Sequence, residues 1–258
     1  MPISVELAVE RLLEARSSHR PATPLSETDP SLTLQQAYAI QDALRAEVER
    51  KGEQVSGWKV GLTTQAMREA MGLDQPVCGF LLRAGLYASN AEVPLNRFAN
   101  LGVEVEVAFR MRTKLVGPGV TADSALLAVE GAMAALELPD FLFGDRPRVV
   151  DLVAGDSYAS AIVLGSPLTP LRGLDLSLEG IVYEHNGQIV GTNTAAEVMG
   201  NPLNALAWLA NHLETRGLSL RPGDVVMTGS ISKVLRPKAG DTIRARFTRL
   251  GSVTAKFV

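Results

Sequence analysis

Three glutamates and one lysine are the residues whose types and spacing could do chemistry in this chain. The stretch Gly102-Val103-Glu104-Val105-Glu106-Val107-Ala108-Phe109 alternates strictly. As a strand it would point Val103, Val105, Val107 and Phe109 to one face and Glu104, Glu106 and Ala108 to the other. The rise over two strand residues would set the two carboxylates about 7 Å apart. Two acids on one side of an otherwise apolar strand are costly unless water or a cation lies between them. A solvated strand face is the bland alternative. The balance shifts with Glu137, a lone charge in Leu136-Glu137-Leu138-Pro139 at the end of an apolar run with helical character. Three hard oxygen donors suit Mg²⁺ or Mn²⁺ rather than zinc. Lys59 lies between Trp58 and Val60 in a strand-like segment that carries Gly57 and Gly61. It either snorkels outward or faces a cavity, where it would pair with an anionic substrate or move a proton.

The elements that must position these groups follow from periodicity and punctuation. Val5, Ala8, Val9, Leu12 and Leu13 recur at helical spacing and predict a helix over 4–16. Residues 21–32 read as a loop. Thr33 with Gln36 forms a capping box for a helix that closes near Gly52. A strand at 55–62, a short helix at 64–71 and extended pieces over 76–100 precede the dicarboxylate strand. Thr121 caps an Ala/Leu-rich helix that is expected to run to about Leu136. Asn186-Gly187 marks a two-residue hairpin. Asn201-Pro202 opens a helix that ends before Gly217. Strands are expected at 224–229, 242–249 and 252–257. This order gives an α+β fold. It divides into an N-terminal helical segment, residues 1–75, packed on a catalytic domain, residues 76–258.

The composition excludes several classes. A net charge of −3 with no basic run argues against a nucleic-acid surface. One cysteine, Cys78, excludes a disulfide framework and fits a reducing cytoplasm. No apolar run is long enough to span a membrane, and early acids (Glu6, Glu10) do not suit a signal peptide. The three histidines, His19, His185 and His212, do not cluster, so no histidine-dependent triad is expected. Nucleotide-binding and metalloprotease fingerprints are absent from the sequence. Thr228-Gly229-Ser230 ends a strand and is either a simple turn or a set of hydroxyl and N–H groups aimed at a carboxylate.

Five blocks together resemble the 2-keto-4-pentenoate hydratase and 4-oxalocrotonate decarboxylase group of the fumarylacetoacetate hydrolase superfamily. They are Gly57 to Thr63, Gly102 to Glu106, Ala135 to Glu137, Asn201 to Asn211 and Gly223 to Ser230. The resemblance implies a mixed sheet rolled around a central cavity, barrel-like, behind the N-terminal helices. It implies one Mg²⁺ or Mn²⁺ on Glu104, Glu106 and Glu137, with Lys59 facing the substrate as the catalytic residue. Thr228, Gly229, Ser230 and Asp156 would bind substrate, and the protein would be a homo-oligomer, a dimer or larger. The implied reaction adds water to a short 2-hydroxy-2,4-dienoate in aromatic meta-cleavage catabolism. Decarboxylation of a 2-oxo-3-enedioate is the runner-up, and acylpyruvate C–C hydrolysis is third. Two departures stand out. Pro76-Val77-Cys78-Gly79 lacks the acid of the family's Pro-Asp-x-Gly loop, and Ala154-Gly155-Asp156-Ser157-Tyr158 replaces its Ala-Asp-Asn-Ala-Ser stretch. Leu81, Leu82 and Tyr158 are candidates for the distal end of the substrate site.

Overall fold

A computed structural model describes residues 2–258. The helices are α1 (Val5–Ser18), α2 (Leu25–Thr28), α3 (Leu34–Arg50), α4 (Gln65–Ala70), α5 (Ala122–Ala128), α6 (Val149–Ala154) and α7 (Pro202–Glu214). The first strands are β1 (Val55–Gly61), β2 (Val77–Leu82), β3 (Leu86–Ala88), β4 (Ala91–Val93), β5 (Glu104–Met111) and β6 (Val129–Leu138). After them come β7 (Ala161–Leu164), β8 (Gly180–His185), β9 (Gln188–Thr194), β10 (Val225–Met227), β11 (Thr242–Phe247) and β12 (Ser252–Phe257).

Two mixed sheets result, one curled into a half-barrel. The larger runs β2-β1-β10-β5-β6-β7-β3 and the smaller β4-β12-β11-β8-β9. They pack where β6 and β7 meet β11 and β12. Ile243, Ala245, Val253, Ala255 and Phe257 are fully buried in the smaller sheet. Strand β1, which falls before the division at residue 75, is an internal strand of the larger sheet, parallel to β10 and antiparallel to β2. Gly57 permits that parallel contact. A Cβ there would stand 1.9 Å from the Val225 carbonyl oxygen. The strand glycine thus marks the approach of another backbone.

Local signals hold at most boundaries. Thr33 and Gln36 form both bonds of the capping box of α3. Asn201 caps α7 with Pro202 at its first turn. Asn186-Gly187 joins β8 to β9. The expected loop over 21–32 contains the single turn α2.

The expected helix from Thr121 to Leu136 is wrong in its second half. Helix α5 stops at Ala128, and residues 129–138 form β6 between β5 and β7. Every residue of β6 except Glu130 is buried. A strand covered on both faces is a continuous apolar run, which periodicity cannot tell from a buried helix. Small residues suit this crowded position. A Cβ at Gly131 would lie 2.8 Å from the Thr169 carbonyl oxygen. Tertiary pairing overrides the helical preference of Ala132, Ala134 and Ala135.

Candidate metal and substrate site

Four adjacent strands build the site on one face of the larger sheet. Antiparallel register places Glu104 of β5 directly opposite Glu137 of β6. Glu106 follows two residues along the same face. Across the sheet, Lys59 pairs with Met227, and Met227 with Ala108. The lysine therefore stands on the acids' face, two strands away. The alternation read from the sequence holds: Val103, Val105, Val107 and Phe109 are fully buried on the opposite face. The solvated-face alternative fails, because Glu106 and Glu137 are each only 1% exposed.

The side chains converge. One carboxylate oxygen from each of Glu104, Glu106 and Glu137 lies within 4.8 Å of the others. Gly229 N–H donates to Glu106 Oε2 at 2.8 Å. Glu106 Oε1 and both oxygens of Glu137 are buried without a hydrogen-bond donor. Lys59 Nζ lies 3.2 Å from Glu137 Oε1, within charge-pair range but outside hydrogen-bond alignment. It donates instead to the Ser157 carbonyl at 2.9 Å. Burial pushes the Glu104 carboxyl up to about 7, and Glu137 adds to the shift. Burial, then Glu137 and Glu104, drives Glu106 well above the carboxylate range. Burial alone would pull the Lys59 ammonium down, but Glu137, Glu104 and Glu106 outweigh it and raise it. Three converging carboxylates, two of them buried with orphaned oxygens, and one lysine are short of positive charge. The donor set fits a hard divalent ion such as Mg²⁺ or Mn²⁺.

These groups open onto a cavity of ≈ 230 Å³. Its far walls are apolar and include Leu62, Met67, Met71, Phe141 and Leu152. Leu62 has φ 56, which turns the chain out of β1 toward α4. Thr64 caps α4 by accepting from Met67 N–H. Arg68 ties the helix back by donating to the carbonyls of Leu62 and Thr63.

Some residues expected at the substrate end do not line the cavity. Of Thr228, Gly229 and Ser230, only Ser230 lines the cavity. Thr228 Oγ1 donates to the Val107 carbonyl, and the Gly229 N–H is taken by Glu106, so neither is free for a carboxylate. Asp156 does not line the cavity either. Its carboxylate is turned the other way, accepting from Arg16 at 2.9 Å and from Phe80 N–H at 2.8 Å. Asp156, Ser157 and Tyr158 are three consecutive left-handed residues, with φ of 66, 51 and 62. Each costs about 1 kcal/mol or more. The Asp156 contacts brace this turn, and the turn presents the Ser157 carbonyl to Lys59. Burial raises the Asp156 carboxyl to about 7 against the pull of Arg16.

Cys78 points away from the cavity toward Arg216, and burial pushes its thiol up to about 12. Leu81 packs in a small core with Ala108 and Met133, and Leu82 lines a different cavity beside Arg16. Tyr158 does reach the carboxylate cavity. His185 pairs with Asp241, and His212 stacks on Trp208, so neither joins the site. The sequence reading missed Phe141, Asp145 and the α4 wall. The apolar spacing of Met67 and Met71 was their one available signal.

The Fumarylacetoacetate (FAA) hydrolase C-terminal family profile matches residues 39–258. The chain belongs to this family. It is 35% identical over 255 residues to 2-keto-4-pentenoate hydratase of Burkholderia vietnamiensis, covering 98% of this chain and 97% of that one. It is 31% identical over 247 residues to a 4-oxalocrotonate decarboxylase of Pseudomonas putida, covering 95% and 92%. The solved 4-oxalocrotonate decarboxylase from Pseudomonas putida G7, complexed with magnesium and adipate, superposes with a TM-score of 0.96 at 28% identity. That match covers 100% of this chain and 99% of the other.

Proposed function

We propose that the chain is a divalent-metal-dependent hydratase that adds water to a short 2-hydroxy-2,4-dienoate, giving a 4-hydroxy-2-oxo acid. The observation that carries this reading is the convergence of three carboxylates, two of them buried and under-satisfied, beside one buried lysine at a cavity. Full-length similarity to hydratases supports the choice of reaction.

Glu104, Glu106 and Glu137 would hold Mg²⁺ or Mn²⁺. When bound, such an ion takes hard oxygen ligands and stabilises negative charge developing on the substrate's 2-oxygen. The chain's own residues do the rest. Gly229 N–H fixes one oxygen of Glu106 and leaves the other free as a ligand. Ser157 holds Lys59 in one orientation, where its ammonium pairs with the anionic substrate and can pass a proton to or from it. The apolar walls limit bulk water to what the cavity admits. Ketonisation would break the 2-hydroxyl O–H bond and form a C–H bond at C5, leaving a conjugated 3,4 double bond; one water then adds with its oxygen on C4 and a proton on C3, giving the 4-hydroxy-2-oxo acid. The loop acid expected of relatives is absent, so Lys59 is the proton-transfer group we assign.

We further place the protein in the cytoplasm as a homo-oligomer. Support comes from the single buried thiol and from Leu178, Ile189 and Val190, exposed at or near the open edge strand β9. No helix among the described residues is long and apolar enough to cross a membrane.

The test is a paired assay on Mg²⁺-loaded and EDTA-stripped protein. Metal-dependent loss of 2-hydroxypenta-2,4-dienoate absorbance, with a product heavier by one water, supports hydration. Release of CO₂ from 2-oxohex-3-enedioate without hydration of the dienoate would replace it with the decarboxylase reading, which the close superposition on a decarboxylase favours.

A further inference from the structure

Four side-chain hydroxyls line the cavity among the described residues, those of Thr63, Ser157, Tyr158 and Ser230. Three are already used as donors. Tyr158 O–H donates to the Gly144 carbonyl and Ser157 O–H to that of Cys78, each at 2.8 Å. Ser230 O–H donates to the Ser232 carbonyl at 2.9 Å. The Thr63 hydroxyl has no partner, although the residue is only 3% exposed. A buried hydroxyl is costly unless water or a ligand completes it.

The place of this hydroxyl is set on all sides. Arg68 donates to the Thr63 carbonyl at 2.7 Å and fixes the backbone. Gly229 leaves room for the side chain, since a Cβ there would stand 2.4 Å from Thr63 Oγ1. The same glycine holds Glu106 through its N–H. Lys59 bears the matching relation to Gly61, where a Cβ would meet its Nζ at 3.5 Å. Gly61 and Gly229 each follow the paired Lys59 and Met227 by two residues. The ammonium thus stands over one glycine and the Thr63 hydroxyl over the other. Beyond Thr63 the chain enters α4, and Met67 and Met71 begin the apolar wall. The hydroxyl lies where the charged floor gives way to carbon.

The chemistry divides the groups in the same way. Lys59 offers donors only, and the glutamate oxygens belong to the metal. A water that adds to carbon needs a group that accepts one of its hydrogens and so aims its lone pair. The new hydroxyl then needs a donor. A hydroxyl free to rotate does both.

We infer that Thr63 holds and aims the water that adds to C4, as a positioning residue for hydration and not for the ketonisation that precedes it. The inference rests on the hydratase reading above and deepens it. In this step one O–H bond of the water breaks, its oxygen bonds to C4, and a proton reaches C3, so that the 3,4 double bond becomes single. Thr63 accepts a hydrogen bond from the water before the step and donates one to the 4-hydroxyl oxygen after it. It gains and loses no proton overall.

The test reads the two half-reactions separately. Mg²⁺-loaded full-length protein is given 2-hydroxypenta-2,4-dienoate in D₂O, and deuterium placement and product mass are followed. Wild-type protein is expected to place deuterium on C5 and on C3 and to gain one water. Thr63→Val should keep metal-dependent deuteration at C5 while kcat for hydration falls about 100-fold, the scale of a misplaced reactant. KM should change by less than about 2-fold, and 2-oxopent-3-enoate should accumulate. Thr63→Ala removes the same hydroxyl with less bulk against Gly229 and should behave alike. Thr63→Ser should restore most of the rate. If the Val and Ala variants hydrate at the wild-type rate, or lose ketonisation as fully as hydration, the inference is overturned and the hydratase reading stands. A Thr63→Ser protein as slow as Thr63→Val would assign the loss to packing and overturn it as well. Wild-type protein that never gains water would overturn the hydratase reading and this inference with it.

Discussion

The β1–β2 pair carries a charged cluster on each face, and the two clusters are built to opposite rules. On one face, Lys59 meets Glu104, Glu106 and Glu137, where three carboxylate oxygens have no donor. On the other, Trp58 and Cys78 meet Arg216. That guanidinium reaches both Asp42 oxygens, Gln41 Oε1 and Cys78 Sγ, and stacks over Tyr38 and Trp58. Gln41 in turn donates to the Cys78 and Val153 carbonyls at 2.8 and 2.9 Å. The Arg216 cluster is charge-balanced and satisfied, so it ties α3, β2 and the turn after α7 together. The glutamate cluster has surplus negative charge and unused acceptors, so it is poised for a cation. Burial and charge alone do not distinguish a brace from a site. The accounting of partners does.

Substitutions should separate the two rules, and the largest effect is expected at the glutamates. Glu137→Gln should weaken Mg²⁺ binding by more than about 100-fold, beyond the loss typical of residues that merely support ligands. The metal-free fold should be kept or made firmer, because an uncompensated buried charge is removed. Metal titration beside thermal melts reads both. A destabilised apoprotein with intact metal affinity would make the cluster a second brace.

Arg216→Met should do the reverse. It should destabilise by about 3 kcal/mol, toward the low end for a broken buried pair because Asp42 is 34% exposed. Denaturant melts measure this, and Mg²⁺ affinity of the folded fraction should persist.

The pH dependence should also divide the clusters. Glu104 has a folded value near 7 against an ordinary 4.5, so the native state holds more protons between those limits. By linkage, its contribution is fully present below about 4.5 and is lost as pH rises through about 7. Metal-free protein should therefore lose stability over that window. Added Mg²⁺ should raise the melting temperature little at pH 5 and strongly at pH 8, because the ion needs ionised ligands. A Mg²⁺ effect independent of pH would count against the glutamates as ligands.

A smaller effect is expected from Arg16→Ala, which unbraces Asp156 and the left-handed turn behind Lys59. The expected result is a kcat lowered about 10-fold with KM little changed, partly restored by Arg16→Lys, since a misplaced catalytic group loses rate rather than affinity. Steady-state kinetics of the three proteins would show it.

Much of this was legible in the sequence. Strict alternation gave the Glu104–Glu106 face, and the capping box, the Asn-Gly turn and Asn201-Pro202 gave element boundaries, because these signals are local. The strand nature of 129–138 was not legible, since a run such as Ala132-Met133-Ala134-Ala135-Leu136 satisfies helix and buried strand equally. The register that sets Glu137 opposite Glu104 was hidden with it. That the Asp156 carboxylate turns toward Arg16, 140 residues away, rather than into the cavity was not legible either. The partners of the Thr228 hydroxyl and the Gly229 N–H were hidden for a related reason: sequence shows donors but not whether a neighbour has already taken them.

The short strand β10 lies between β1 and β5, so the lysine and the glutamates share a face only once residues 225–227 have slotted between strands made far earlier. During synthesis, at roughly 5–20 residues per second, both strands of the acid-bearing β5–β6 pair emerge well before β10, and β1 waits several seconds or more for its neighbour. The nascent protein thus has a late keystone. Until it arrives, the edges of β1 and β5 stand open, and a stalled ribosome or a lesion near Val226 would leave a chain with folded pieces and no working centre.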